Sequence, residues 1–412
     1  MYNPLLSVGV LMSNGLFART DPHTVQGPKR ITYGLGSADE LSSFVNRHTP
    51  SNNDTLERVL VVTDGDLVEV GVTDIVVDTL SAAGVDVEIF DGVAPEPTLT
   101  MAEDAAAVLR DRGAEAVVGV GGGSVLDTAK FASVLAAYET PTREMLGMGN
   151  VPGPGKPTAL LPTTAGTGSE VTHIGVFTDP EDGGTKRVVY SEHLFVDLAI
   201  IDPELTRSLP KRVAAATGLD ALTHAVESYV TVLRTPYSDM LAERAIELIA
   251  DNLRGAVHQG EHNDRARYNM SLAATMAGQA FVNSGLGAVH ALTYPLSIRH
   301  GVGHGEANAM LLPHVMAYNV PAEPDRFADV AHLLGVGPDG STVERAYAGV
   351  NAVFELIDDV GIPTSIGHLG ELGDEELETF VDIAFEYSQH NIDRNPRSLD
   401  RADVKRIYEN AR

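Results

Sequence analysis

Between residues 56 and 205 the chain alternates short β-branched runs with amphipathic stretches. ERVLVVTD (57–64) reads as a strand and LVEVGVTDIVVDTLSAAG (67–84) as a helix closed by Gly84. VDVEIFDGV (85–93) is the next strand, TLTMAEDAAAVLRDRG (98–113) a helix, and AEAVVGVGGG (114–123) a strand running into a glycine loop. SVLDTAKFASVLAAY (124–138) returns to helical spacing, and KPTALLPTT (156–164) is a short apolar strand entering another loop. Strands separated by helices of this length predict a parallel α/β sheet. After DPELTRSLP (202–210) the pattern changes. Helical periodicities follow one another at 211–232, 236–257, 264–283, 285–298 and 304–318 and continue to the end, with few β-branched runs. The second half therefore reads as all-helical, with a boundary near residue 205. GMGNVPGPGKP (147–157) is a loop inside the first half.

A chain of 412 residues with 43% hydrophobic residues can bury a large core and divide it between two domains. The absence of cysteine excludes disulfides, thiolate metal sites, iron–sulfur clusters and a cysteine nucleophile, so any metal must be held by nitrogen and oxygen. The net charge of −28, from 57 acidic and 29 basic residues, argues against nucleic acid and anionic membranes as partners. The acidic residues are scattered over helices and loops, a pattern that suits a halophilic surface. The opening MYNPLLSVGVLMSNGLFARTD lacks a basic start and is interrupted by Asn3, Pro4 and Asn14, and no apolar run reaches spanning length. The expectation is a soluble, cytoplasmic protein.

Two loops and one set of histidines carry candidate chemistry. GVGGGSVLDTAK (119–130) follows a strand and opens a helix, where closely approaching amides and the helix dipole suit a pyrophosphate. It fits neither standard fingerprint: G-x-G-x-x-G would need glycine where Ser124 stands, and a P-loop would place its lysine well before Lys130. TTAGTGSEVT (163–172) is dense in hydroxyls and glycine; an ordinary polar loop has the same composition. Asp64 ends a strand, where a carboxylate can accept from a ribose and repel a 2′-phosphate, but it precedes the glycine loop instead of following it.

Asp220 and His224 stand at i, i+4 and so share one helix face. Such pairs also occur as plain surface contacts. Four histidines crowd residues 289–315, among them His290 inside a helical run and His304 after a glycine-flanked turn. Together, Asp220, His224, His290 and His304 form a carboxylate–imidazole set suited to Fe²⁺ or Zn²⁺. A divalent ion there can polarise an alcohol or carbonyl oxygen for hydride transfer.

GGGSVLDTAK, PTTAGTGSEVT, AATGLDALTHAVESYV and VHALTYPL…HGEANAMLLPHVMAYN resemble the signature segments of the iron-containing (group III) alcohol dehydrogenases. VTDGDLVEVGV, FDGVAPEPT and NPRSLDRADVKRIYENA extend the resemblance from about Ile31 to the C-terminus. It implies an N-terminal extension (1–30), an α/β NAD(P)-binding domain with a parallel sheet (31–205) and an all-helical metal-binding catalytic domain (206–412). By position it makes Asp220, His224, His290 and His304 the metal ligands. Gly121, Gly122, Gly123 and Ser124 match the pyrophosphate loop, with Asp127 just beyond. Thr163, Thr164 and Thr167 match a loop beside the cofactor, and Asp64 the position that favours NAD over NADP. It further implies a small alcohol or hydroxy-acid substrate interconverted with its carbonyl partner, and a homodimer or larger oligomer.

The sequence departs from the pattern where many members carry a relay histidine, four residues after His290; here Tyr294 stands there. Tyr294 and His300 are the candidates for the catalytic relay, although His300 reads more readily as a loop histidine, and His314 reads as structural. Two other classes share the scaffold. A dehydroquinate synthase-like lyase would need a basic cluster for phosphate, for which residues 290–304 offer only Arg299. A non-catalytic binder retaining the fold would have no need of four intact ligand positions.

Overall fold

A computed structural model describes residues 22–47 and 56–412. Most of the N-terminal extension thus lies outside the described residues. Among the described residues the first half builds nine strands and five α-helices: β1 (Ile31–Tyr33), α1 (Leu41–Arg47), β2 (Arg58–Val62), α2 (Gly65–Glu69), α3 (Val72–Ala82), β3 (Asp86–Phe90), α4 (Leu99–Asp111), β4 (Ala116–Gly121), α5 (Gly123–Leu135), β5 (Gly147–Met148), β6 (Thr158–Pro162), β7 (Ile174–Asp179), β8 (Thr185–Tyr190) and β9 (Leu198–Ile201). Six of these strands form one sheet in the order β1-β9-β6-β4-β2-β3, and every pairing is parallel. Its central strands are buried on both faces, as near-continuous apolar runs such as RVLVV and TALLP require. One apolar layer, including Leu60, Leu126 and Phe131, covers one face, and a second, including Phe44, Val61 and Leu80, covers the other.

The structure differs from the sequence reading in several places, among them β1, α1, β5 and β9, which the apolar pattern did not mark. The predicted helix over 67–84 is two helices, because Gly71 takes φ 76° between α2 and α3. Residues 174–190, not assigned from sequence, form an antiparallel hairpin, β7 with β8, to which β5 adds a short parallel strand.

Nine helices follow: α6 (Lys211–Val230), α7 (Pro236–Gln259), α8 (Asp264–Ser284), α9 (Ala288–His300), α10 (His304–Asn319), α11 (Pro324–Leu333), α12 (Thr342–Asp359), α13 (Asp374–Ile392) and α14 (Arg401–Ala411). They enclose a separate core around α6, in which Leu222, Leu292, Leu311 and Phe380 are fully buried. Tyr408 on α14 is buried there too, its hydroxyl donating to the Leu292 carbonyl at 2.7 Å, which pins the C-terminus to the back of α9.

The loop at residues 163–173 is held from both sides. Lys130 on α5 is 1% exposed, and its ammonium donates to the Ser169 carbonyl at 3.0 Å, to Thr172 Oγ1 at 3.2 Å and to the Ile174 carbonyl, and pairs with Asp127 at 3.0 Å. On the other side Thr275 of α8 donates to the buried Glu170 carboxyl at 2.9 Å. Gly168 (φ 61°) meets α8 backbone to backbone: a β-carbon at 168 would lie 2.6 Å from the Gly278 Cα. His173 closes the loop, its ring 5.0 Å from that of Phe195, and its Nδ1 is buried without a hydrogen-bond partner. Burial, and then the nearby Lys130 charge, lowers its pKa to about 4.

Two outcomes follow from this clamp. Lys130→Met leaves Asp127 and two carbonyls without their buried cation and should cost about 3–5 kcal/mol in denaturant unfolding. His173, neutral in the fold and protonated below about pH 6.5 when unfolded, makes stability fall as pH drops from about 6.5 towards 4. His173→Phe should flatten that acid limb by up to about 3 kcal/mol in unfolding free energies measured across it.

Candidate metal and cofactor site

Helix α6 runs through the second core with Asp220, His224 and Glu227 successively on one face, at i, i+4 and i+7. All three are at most 5% exposed. Helix α9 brings His290 against them, its ring stacked 4.8 Å from that of His224, and the ring of Phe281 of α8 packs against His224 at 4.6 Å. After the turn at Gly301–Gly303, α10 starts with His304, the exposed member of the set at 48% of its side chain. One ligand atom from each of Asp220, His224, His290 and His304 lies within 4.8 Å of all the others. The Asp220 Oδ1 is 3.8 Å from His224 Nε2 and 3.7 Å from His304 Nε2. Atoms bound tetrahedrally to one ion at about 2.1 Å stand about 3.4 Å apart, so these separations are close to a ligand shell.

The hydrogen bonding around these atoms points the same way. His290 Nδ1 lies 2.6 Å from the Glu227 carboxylate, which also accepts from the Val289 amide at 2.6 Å. That contact fixes the proton on Nδ1 and turns the Nε2 lone pair inwards. At the centre stands the amide of Asn308, one turn along α10 from His304. Its Nδ2 is 2.6 Å from Asp220 Oδ1, 3.2 Å from His304 Nε2 and 3.3 Å from His290 Nε2. One amide nitrogen has two protons and faces three lone pairs, while the Asn308 Oδ1 is buried without a partner. The pocket has more acceptors than the chain has donors for it, and a cation fits that deficit. Burial lowers the His224 pKa to about 4, against the opposing pull of Asp220; His304 keeps an exposed ring edge, but the protein packed around the rest of the ring lowers its pKa too, again against Asp220. Burial acts to raise the Asp220 carboxyl, but the three imidazoles and the Asn308 amide outweigh it, and the carboxyl is held below its ordinary value. Neutral imidazoles and an ionised carboxylate are the forms that bind metal.

The glycine loop faces the same cleft, of about 550 Å³, which is lined by Gly123, Ser124 and Thr167 as well as by all four ligand residues. Gly122 caps α5 with no side-chain acceptor on its first amides, leaving them available to an anion. A β-carbon at Gly123 would lie 2.8 Å from Thr167 Cγ2, so the two loops are in contact and leave a groove of backbone. Thr163 is buried, its amide donating to the Gly121 carbonyl at 3.0 Å. The hydroxyl of Thr164, beside Gly122, is buried without a partner. A buried hydroxyl without a partner and a helix start without a side-chain cap suit a polar cofactor. Asp127, expected in the cofactor contact set, spends both oxygens within the protein, on the Ser169 hydroxyl at 2.5 Å, the Val176 amide at 2.9 Å and Lys130.

The order of Asp64 and the glycine loop is resolved by the sheet. β2, which Asp64 follows, pairs directly with β4, which feeds the glycine loop, so the two strand ends are neighbours although the sequence order is reversed. One Asp64 oxygen caps α2 through the Leu67 amide at 2.9 Å, and burial raises its pKa.

The two relay candidates separate. Tyr294 lines the cleft beside His290. His300 does not: it ends α9 on the far side, its Nε2 2.9 Å from Glu376 and its ring edge-on to Phe380 at 5.8 Å. Of the two readings of His300, its place outside the cleft lining favours the loop histidine over the relay. His314 packs edge-on against Phe354, as a structural histidine would. Glu227 and Asn308 escaped the sequence reading, yet helical spacing from His224 and His304 would have found both. Arg299, the one basic residue weighed for a phosphate site, is exposed and absent from the cleft lining.

Comparison with known proteins agrees with this geometry. Residues 28–203 match the family model for iron-containing alcohol dehydrogenase, and residues 214–412 that for the C-terminal part of the Fe-containing alcohol dehydrogenase family. The chain is 42% identical over 382 residues to long-chain-alcohol dehydrogenase 1 of Geobacillus thermodenitrificans, covering 92% of this chain and 94% of that one. It is 37% identical to the lactaldehyde reductase of Escherichia coli, covering 92% and 97%. A crystal structure of a 1,3-propanediol oxidoreductase superposes with a TM-score of 0.89 at 36% identity, over 95% of this chain and all of the other. The chain belongs to the iron-containing alcohol dehydrogenase family.

Proposed function

We propose that the protein moves hydride between NAD(H) and a small alcohol or hydroxy acid and its aldehyde or ketone, with a divalent metal held by Asp220, His224, His290 and His304. The observation that carries this reading is the convergence of four ligand atoms in the same cleft as the backbone groove at Gly123 and Ser124. Iron is the metal the family name favours, and the nitrogen–oxygen set would also take zinc. When bound, the ion supplies Lewis acidity towards the alcohol or carbonyl oxygen.

The chain's own groups do the rest. Glu227 keeps His290 in the tautomer that presents Nε2, and Asn308 holds the Asp220 carboxylate. Amides at Gly121, Gly122, Gly123 and Ser124 receive the pyrophosphate, Thr163, Thr164 and Thr167 border the cofactor, and Asp127 braces that wall. Asp64 accepts from the adenosine ribose and disfavours a 2′-phosphate, which argues for NAD over NADP. Tyr294 is pushed well above its ordinary pKa by burial, so it stays protonated and donates a hydrogen bond to the substrate oxygen without shuttling protons near neutrality. Cofactor and metal would meet at the boundary near residue 205, the α/β half holding one and the helical half the other.

The acidic surface suits high salt, and the edge of β1, which has no further strand beyond it among the described residues and is flanked by exposed Tyr33 and Leu35, suits pairing with a second copy. Among the described residues no helix is long and apolar enough to cross a membrane.

The deciding experiment is metal analysis of the purified protein together with an NAD-linked panel of short alcohols, diols and hydroxy acids in low and molar salt. His304→Ala should lose bound metal and lower turnover roughly a thousandfold, while NADH binding, read by its fluorescence, persists. Retained metal with retained activity would remove the metal assignment. Tyr294→Phe should lower kcat/KM about tenfold without moving the pH–rate profile, because the lost group donates without titrating; a displaced profile would make it a relay after all.

A further inference from the structure

Two Lys or Arg side chains line the cleft that holds the metal ligands, Lys186 and Arg394. Lys186, on β8, is paired with Glu96, so its charge is answered inside the protein. Arg394, in the turn after α13, has no carboxylate or carbonyl partner for its guanidinium among the described residues. Its neighbour Asp393 accepts from Gln389 instead, at 2.7 Å. This is notable in a chain with 57 acidic and 29 basic residues, where acidic partners are abundant.

The position of Arg394 is built. Its carbonyl accepts from the Val232 amide at 3.0 Å and from Thr231 Oγ1 at 3.1 Å, so its backbone is tied to the end of α6. The next residue, Asn395, is locked to Asn319 by reciprocal amide bonds of 2.7 and 2.9 Å. The guanidinium lies on Gly285, in the turn that starts the segment carrying His290. A β-carbon there would sit 3.0 Å from Nη1, and the φ of 83° reserves the place for glycine. The Arg394 charge also reaches Tyr190, another cleft residue, where it opposes the rise that burial imposes on the phenol.

We infer that Arg394 is a specificity residue that binds a carboxylate on the substrate, so that the preferred substrates are short aldehydes and alcohols carrying an acid group at the end remote from the reacting carbon. A planar guanidinium on a fixed backbone pairs with a carboxylate through two parallel hydrogen bonds, and the partly desolvated cleft strengthens the pair. A surface of net charge −28 otherwise repels anions, so a cleft cation with no acidic partner among the described residues is what admits one. The inference rests on the dehydrogenase reading above and adds the substrate class to it.

The test uses the full-length, metal-loaded protein with NADH and two series of aldehydes matched in carbon number: glyoxylate, 4-oxobutanoate and 5-oxopentanoate against acetaldehyde, butanal and pentanal. The wild type should prefer the acid member of at least one pair by tenfold or more in kcat/KM. Arg394→Met should reduce that preference at least tenfold, mainly through KM for the aldehyde, and Arg394→Lys should restore part of it. The fold should tolerate both variants, because the bonds that anchor residue 394 are made by its backbone. The inference is overturned by a wild type that prefers neither series, or by a preference that Arg394→Met leaves in place. It is equally overturned by an effect confined to KM for NADH and equal in both series, which would assign the cation to the cofactor. NADH oxidation with neither series would instead sink the dehydrogenase reading itself.

Discussion

Asp220, His224, His290 and His304 bring their lone pairs together where the chain has no matching proton donors. Burial makes this costly, since each acceptor left facing another forfeits the hydrogen bonds it had in water. The neighbouring residues meet that cost only in part: Glu227 takes the outer nitrogen of His290, and the single Asn308 amide serves three acceptors at once. A cation at the centre would satisfy the set, which ties the stability of the helical half to occupancy of its site.

The rest of the architecture is arranged around that requirement. Helix α6 is buried along most of its length and carries two of the candidate ligands through the core, with α9 and α10 packed against it. The sheet contributes by strand order. Placing β4 between β2 and β6 brings the glycine loop, the Asp64 strand end and the hydroxyl loop to one edge, facing the ligand helices. Neither half alone makes a site for a hydride transfer, which needs both reactants held in contact.

Much of this was legible in the sequence because it depends on local periodicity. The parallel sheet followed from strand–helix alternation, and the ligand helices from apolar spacing around Asp220, His224 and His290. What escaped depended on single residues or on distant contacts. The apolar pattern of 67–84 runs through Gly71 without a break, so only the backbone angle there divides it. The β7–β8 hairpin carries a readable Asp182–Gly183 turn, but its strands mix polar and apolar residues because only one face is covered. β9 is only four residues long, too short for periodicity to register. His300 is four residues from His304, yet counting by helical turns fails across Gly301 and Gly303, where the helix has ended. Arg394 had no sequence signal at all, since its relation to His290 exists only after α13 has folded back beside α9.

The contact of Gly168 with Gly278 has a mechanical consequence. There the α/β half and the helical half touch backbone to backbone, with no side chain between them to change rotamer or slide. Lys130 holds the loop to one half and the Glu170–Thr275 bond holds it to the other. Translation of the halves past each other would break all of these at once, whereas a small rotation about the glycine contact would strain none of them severely. The loop proposed to border the cofactor is thus also a natural fulcrum for a rotation of one half on the other.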